Sequence, residues 1–295
     1  MEIRKAVIPV AGLGTRLLPA TKSMPKEMLA VGRKPVVQYV VEEMEACGLK
    51  DILFVTGRSK RTIEDHFDFN SELYSNLVGT GKRDLLESLS FENMEATFFY
   101  VRQAQPKGLG HAIMQARDFV GNEDFVVALG DSIICEDGKR LLETMLEAKK
   151  ERNAEAVIAV QAVPWEEVHH YGIVKPLSGQ SGAVVDLASI IEKPSKNEAP
   201  SNLAVAARYI FSPLIFDMLE RTLTDKRGEL QVTDAIESLI RQGKRVCVVV
   251  MQGKQKRYDI GNYLSYYKAF IDFAMSDPDY GQDLRHYVEK ALQGE

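Results

Sequence analysis

Residues 5–27 read K-A-V-I-P-V-A-G-L-G-T-R-L-L-P-A-T-K-S-M-P-K-E. Ala6–Val10 is a short apolar run of strand type, and it passes directly into a long loop, Ala11–Glu27. Gly12 and Gly14 let the backbone come close to a ligand. A dinucleotide fingerprint G-x-G-x-x-G is not met, because Leu17 stands where the third glycine belongs; a P-loop is absent too. Pro19 and Pro25 postpone any helix. What remains is a loop in which glycines and prolines alternate with Thr15, Arg16, Lys22 and Lys26, four donors suited to phosphate oxygens. A solvated basic turn would carry the same cations, but it gives no reason for the glycines and prolines between them.

Outward from this loop the pattern repeats. Ile52–Thr56, Thr97–Val101, Phe125–Leu129 and Ala156–Val160 read as further short strands. Pro35–Cys47, Gly110–Phe119 and Arg140–Arg152 keep a helical period, the first stopping at Gly48. This alternation predicts an α/β fold: a doubly wound, mostly parallel, Rossmann-like mixed sheet flanked by helices. Ala183–Glu192 and Leu203–Phe211, on either side of the polar insert Lys193–Asn202, read as antiparallel additions, and Val246–Met251 as another strand. Gly261–Met275 and Asp283–Gln293 predict a helical tail. The expected organisation is one α/β domain, 1–260, with a first half to residue 135 and a second half from 136, followed by the tail 261–295. Ligands of such sheets collect at the carboxyl ends of the strands.

Composition bounds the function. The chain has 295 residues, 45% hydrophobic, with 37 basic against 42 acidic side chains and a net charge of −5. That excludes wholesale disorder and gives no basic field for nucleic acid. Any anion must be held by a local cluster. No apolar run is long enough for a signal peptide or a membrane span. Cys47, Cys135 and Cys247 lie far apart in apolar stretches, the pattern of reduced thiols in a cytoplasmic protein.

The spelling G-L-G-T-R-x-x-P-x-T-K-x-x-P-K-E resembles the signature loop of the sugar-nucleotide pyrophosphorylases. In this full form it resembles that of the bacterial UTP–glucose-1-phosphate uridylyltransferases. The resemblance implies that Ala11, Gly12, Gly14, Thr15 and Glu27 surround the nucleotide while Arg16 and Lys26 meet its phosphates. Val101–Ala112, V-R-Q-A-Q-P-K-G-L-G-H-A, follows a strand. Gln103 there offers an amide whose donor and acceptor match uracil O4 and N3–H; the resemblance implies this role for Gln103 and a backbone contact near Gly108. His111 is left outside the site. Val126–Ile133 delivers Asp131 at a strand tip beside the phosphate loop, where a carboxylate suits Mg²⁺; Ser132 stands where the family often has a second acid. The resemblance extends to H-Y-G-I-V at Gly172, to I-I-E-K-P with Glu192 and Lys193 on the sugar side, to Pro200–Phe211 and to Gly228–Ile236. It also covers Lys256–Asn262, in which Asp259 becomes a second metal candidate.

These parts imply transfer of UMP from UTP to α-D-glucose 1-phosphate, giving UDP-glucose and pyrophosphate. The sugar phosphate is already an anionic nucleophile, so positioning and charge neutralisation suffice. Two other readings stay open here: a nucleotidyltransferase using dTTP or another sugar phosphate, and a nonenzymatic nucleotide-sugar sensor. The aromatics of the tail, Tyr263, Tyr266, Tyr267, Phe270 and Phe273, suit either core packing or a subunit interface; the resemblance implies a homo-oligomer, dimer or tetramer.

Overall fold

The computed structural model of the chain describes residues 2–135 and 138–293. The start of the expected second half and the last two residues of the expected tail lie outside the described residues. The chain opens with β1 (Lys5–Pro9), the hairpin β2 (Ala30–Val31) and β3 (Lys34–Pro35), and α1 (Val36–Ala46). β4 (Asp51–Thr56) follows, then α2 (Arg61–Phe67), α3 (Ser71–Gly79) and α4 (Arg83–Ser88), and β5 (Thr97–Arg102). Next come α5 (Leu109–Met114), α6 (Arg117–Val120), β6 (Phe125–Ala128), β7 (Ser132–Cys135), α7 (Gly138–Arg152) and β8 (Ala156–Ala162). The remainder is β9 (Gly172–Pro176), β10 (Val184–Glu192), β11 (Leu203–Phe211), α8 (Leu214–Arg221) and α9 (Val232–Arg241), then β12 (Val246–Val250), β13 (Lys256–Asp259), α10 (Tyr263–Met275) and α11 (Gly281–Gln293).

Nine strands form one mixed sheet in the order β5-β4-β1-β6-β11-β8-β12-β10-β9. β5, β4, β1 and β6 are mutually parallel, as the βαβ alternation predicts. Beyond β6 only β8 and β12 pair in parallel; β11 and β10 run antiparallel to their neighbours. β11 is not an edge addition. It lies at the centre, between β6 and β8, and eight of its nine residues are buried. A strand covered on both faces has no polar side, which is why A-V-A-A-R-Y-I-F lacks alternation.

Apolar clusters fill both faces of the sheet. On one, α5, α8 and α9 contribute Ile113, Phe216, Leu219, Ile236 and Leu239; on the other, α1 and α7 contribute Val37, Val40, Met44, Leu142 and Met145. Each fully buried aliphatic of this kind contributes about 1.5–3 kcal/mol. A third, smaller cluster joins Leu17, Leu29, Val31, Ile133 and Ile260 to Ala269, Tyr263, Tyr266 and Phe273 of α10. The first tail helix therefore packs against the glycine-rich loop. Its aromatics divide: Tyr263, Tyr266 and Phe273 face inward, whereas Tyr267 and Phe270 remain exposed. Among the described residues, no helix is long and apolar enough to cross a membrane.

Candidate active site

The loop after β1 turns at Gly14, whose φ of +66° lies in the left-handed region. Thr21 Oγ1 fixes the turn by donating to the Gly14 carbonyl at 2.7 Å. Instead of an α-helix, three single 3₁₀ turns follow (Thr15–Leu17, Ala20–Lys22 and Lys26–Met28), interrupted at the prolines. The tail braces the loop from below. Tyr263 donates its hydroxyl hydrogen to the Leu17 carbonyl and Tyr266 to that of Ala30, each at 3.1 Å.

Above this loop opens a cavity of about 470 Å³ bordered by Ala11, Gly12, Gly14, Thr15, Arg16, Lys26, Glu27, Gln103, Gly108 and Asp131. Of the residues expected on the nucleotide side, all but the loop cation Lys22 thus border one cavity. The buried Glu27 carboxylate accepts from Lys60 Nζ at 2.7 Å. Burial raises its pKa, against the pull of Lys60 and Lys26. Lys26 itself pairs with Asp131. Burial works against the Lys26 charge, but the carboxylates of Asp131, Glu27 and Asp259 outweigh it and push its pKa up to about 12.

Gln103 is buried and more constrained than the sequence implies. Its Nε2 donates to the Gly108 carbonyl at 3.2 Å and meets His111 Nδ1 at 2.8 Å. With both amide hydrogens engaged inside the protein, the Oε1 acceptor is what the amide has left of the donor–acceptor pair expected from the sequence. His111, left outside the site on sequence grounds, is the anchor of this amide. Burial and the neighbouring Lys107 lower its pKa, favouring the neutral ring that can accept. Gly108 has φ +90°, and a Cβ there would come within 2.7 Å of the Leu230 carbonyl. The segment around Gly228–Ile236 therefore packs directly beneath the Gln103 loop, with Leu230 exchanging backbone hydrogen bonds with Lys107 and Gly110.

The two acids arrive by strand pairing. β7, which follows Asp131, pairs antiparallel with β13, so that Asp259 lies opposite Ser132, and the Ile260 N–H donates to the Asp131 carbonyl at 2.9 Å. Burial disfavours the Asp131 carboxylate, but Lys26 and Arg257 overcome this and lower its pKa. Asp259 moves the other way. Burial, with Asp131 adding repulsion, raises its pKa against Arg257, Lys26 and Arg16. No group of three His, Cys, Asp or Glu with metal-ligand geometry occurs among the described residues.

The sugar-side residues border a second cavity, of about 440 Å³, which includes Gly172, Glu192 and Lys193 and shares Arg16, Lys26 and Glu229 with the first. Gly172 and Glu192 are partners across β9 and β10. Thr233 Oγ1 donates to Glu192 Oε2 at 3.0 Å, and Lys193 Nζ lies 3.1 Å from Glu192 Oε1. Lys193 adopts φ +46°, off the end of its strand, while its N–H donates to the Tyr171 carbonyl at 2.9 Å. A non-glycine residue in this region carries strain that neighbours must hold in place.

Several bordering residues were not legible in the sequence. β11 breaks register between Val205 and Tyr209, with Ala207 at φ +63°. The bulge moves β11 from pairing β9 at Ala204 to pairing β6 from Arg208 onward, and it brings Ala207 and Tyr209 to the sugar-side cavity. Arg208 locks it from below. Its guanidinium donates to Glu43 of α1 at 2.9 and 2.7 Å and to the Ser132 carbonyl at 3.0 Å, with no side-chain exposure. Arg257 borders the same cavity, with Nε donating to Ser132 Oγ at 2.8 Å, Nη2 3.5 Å from Asp259 and the guanidinium 5.6 Å from the Tyr171 ring centre. A signal existed for Arg257: residues i and i+2 of a strand share a face, so the R-Y-D that exposed Asp259 also points to the arginine.

A mixed α/β sheet with a glycine-rich cation loop at one strand end and a carboxylate–lysine pair at another defines an enzyme that joins two phosphorylated substrates. Residues 5–276 match the nucleotidyl transferase family model, and the chain belongs to this family. Over 294 residues it is 46% identical to the UTP–glucose-1-phosphate uridylyltransferase of Bacillus subtilis (strain 168), covering 100% of this chain and 99% of that one. A UTP-bound UGPase from Acinetobacter baumannii superposes with a TM-score of 0.87 at 39% identity, over 97% of this chain and 98% of that one. A UDP-glucose pyrophosphorylase complexed with UDP-glucose gives 0.83 at 38% identity, over 93% and 100%.

Proposed function

We propose that this chain transfers UMP from UTP to α-D-glucose 1-phosphate, forming UDP-glucose and releasing pyrophosphate. One observation carries the reading: two cavities, one over the glycine-rich loop and one beside Glu192 and Lys193, meet at Arg16 and Lys26. Relatives of this chain bind UTP and UDP-glucose. In this reading the backbone from Ala11 to Thr15 receives the nucleotide phosphates and Gln103 Oε1 accepts from uracil N3–H. Gly108 supplies the backbone contact to the base. Glu192 accepts from sugar hydroxyls beside the Gly172 backbone, and Lys193 neutralises the sugar phosphate. Arg16 and Lys26, common to both cavities, stabilise the charge that develops between the two phosphates during in-line attack.

Asp131 and Asp259 are the proposed Mg²⁺ ligands. Two carboxylates brought together by β7 and β13, with Asp131 disfavouring the Asp259 charge, form a donor set that a hard cation would relieve. Two protein carboxylates, completed by substrate phosphates and water, are the usual complement for Mg²⁺. The ion would supply charge neutralisation at the phosphates. Residues 1–135 are assigned to the nucleotide, 136–260 to the sugar, and 261–295 to a bracing tail whose outer face, with Leu264, Tyr267, Phe270 and Ile271 exposed, fits a homo-oligomer, dimer or tetramer. The three cysteines form no disulfide, in keeping with a cytoplasmic setting.

Turnover is tested by incubating UTP and glucose 1-phosphate with and without Mg²⁺ and measuring pyrophosphate release. A panel of UTP, dTTP, ATP and GTP against glucose, galactose and N-acetylglucosamine 1-phosphates then fixes the substrate pair. Preference for dTTP or another sugar would replace the reading with a different nucleotidyltransferase, and no turnover with any pair would replace it with a sensor.

A further inference from the structure

Arg257 borders the sugar-side cavity and ties three distant segments to its own strand. Residues i and i+2 of β13 share a face, so the guanidinium stands with Asp259, while Tyr258 turns the other way to Asp272 and Phe273 of α10. Arg257 Nε donates to Ser132 Oγ at 2.8 Å, at the start of β7. Its Nη1 donates to the Val205 carbonyl at 3.3 Å, where β11 leaves register for its bulge. Its Nη2 lies 3.5 Å from Asp259 Oδ2, and the guanidinium carbon is 5.6 Å from the Tyr171 ring centre.

Two buried arginines reach Ser132, and their charges are met differently. Arg208 takes the Ser132 carbonyl and is bonded through two donors to the Glu43 carboxylate. Arg257 takes the hydroxyl. Its side chain is only 7% exposed, yet it forms no hydrogen bond to a carboxylate among the described residues. A buried charge that serves the fold alone is closely paired, as Arg208 is. A guanidinium held by a hydroxyl, a carbonyl and a ring face keeps its charge for the cavity it borders. Tyr171 carries the arrangement on to Lys193. Its carbonyl accepts the Lys193 N–H at 2.9 Å, and this bond helps to hold Lys193 at φ +46°.

We propose that Arg257 is a positioning residue for the sugar phosphate. Its fork fixes the β11 bulge, Asp259 and the Tyr171 turn that carries Lys193 relative to one another, so that the acceptor enters a cavity already shaped for it. This role rests on the transfer reaction proposed above and concerns its acceptor alone. Arg257 borders the sugar-side cavity and not the nucleotide-side one, so UTP should bind without it. The shape of the guanidinium matters as much as its charge. A lysine at position 257 keeps the charge, but it lacks the planar fork whose three nitrogens face Ser132, Val205 and Asp259.

The test is calorimetric titration of the full chain with UTP and with UDP-glucose, both without Mg²⁺, for wild type, Arg257→Gln, Arg257→Lys and Ser132→Ala. Kd for UDP-glucose should rise about tenfold or more in both Arg257 variants, the scale of one lost hydrogen bond to a charged group, while Kd for UTP stays within about twofold. KM for glucose 1-phosphate should rise in parallel. Ser132→Ala removes only the acceptor of Nε and should repeat the pattern at about threefold; it carries the test if the Arg257 variants melt early. Recovery of wild-type UDP-glucose binding by Arg257→Lys would show that charge alone suffices and would overturn the positioning role. Equal losses for UTP and UDP-glucose, the mark of a general structural defect, or no loss for either, would overturn it too. Wild type that binds neither ligand removes the transfer reaction itself, and this role with it. Wild type that binds both, with variants that match it, removes the role of Arg257 alone.

Discussion

β5, β4, β1 and β6 run parallel and present their ligand-facing residues from the loops at their carboxyl ends. The strands beyond β6 are mostly antiparallel and present theirs from strand ends, a bulge and a flanking helix. The first arrangement gathers Ala11, Gly12, Gly14, Thr15, Arg16, Lys26 and Glu27 in one continuous stretch. The second draws Tyr171, Glu192, Tyr209, Thr233 and Arg257 from five separate segments. A crossover connection returns each parallel strand in the same direction, so every carboxyl-terminal loop falls on the same rim. Antiparallel strands alternate direction, so residues on one rim must come from the start of one strand and the end of the next. The site after β1 is therefore a motif, and the one around Glu192 a constellation.

The largest effects are expected at the seam between these two arrangements. Asp131→Asn should abolish turnover, with a loss on the order of 10³-fold or more if the carboxylate acts on the reacting phosphates, and with little change in melting temperature. Near-normal turnover by a folded variant would remove Asp131 from the chemistry. Glu43→Ala strands the fully buried Arg208 guanidinium under the β11 bulge. Losing one partner of a buried pair costs about 3–5 kcal/mol, so the melting temperature should fall by roughly 10 °C. An unshifted melt would mean that the two halves are not keyed together through this pair.

In the cavity around Glu192, Lys193→Ala should lower kcat by roughly 10²–10³, or about 2.7–4 kcal/mol, if the amine neutralises a phosphate in the transition state. A partly exposed lysine paired only with Glu192 would contribute about 0–1 kcal/mol, and to stability. Measuring kcat and melting temperature together separates the two roles. The smallest effects belong to the Gln103 loop. Gln103→Ala should raise KM for UTP about tenfold and leave kcat closer to wild type, because a contact with the base is much the same in ground and transition states. His111→Ala should follow in the same direction with a smaller change, since it removes only the anchor of the amide. Equal losses in kcat for either variant would show that this loop acts on more than the base.

Strand period, turn chemistry and the break of helix by proline depend on neighbours in the chain, so the parallel half, the glycine-rich loop and the place of Asp131 at a strand tip were legible from the residues alone. Gln103 was legible as a residue, but the engagement of its amide hydrogens by His111 and the Gly108 carbonyl was not. Tertiary packing put β11 through the centre of the sheet, with its bulge at Ala207. It also decided that Arg257 joins the sugar-side cavity, and that α10 braces the loop through Tyr263 and Tyr266. These arrangements pair residues about 50 to 246 positions apart. Contacts at such separations are fixed by packing and strand register, and no local propensity in A-V-A-A-R-Y-I-F or in K-R-Y-D reports which distant segment will lie alongside.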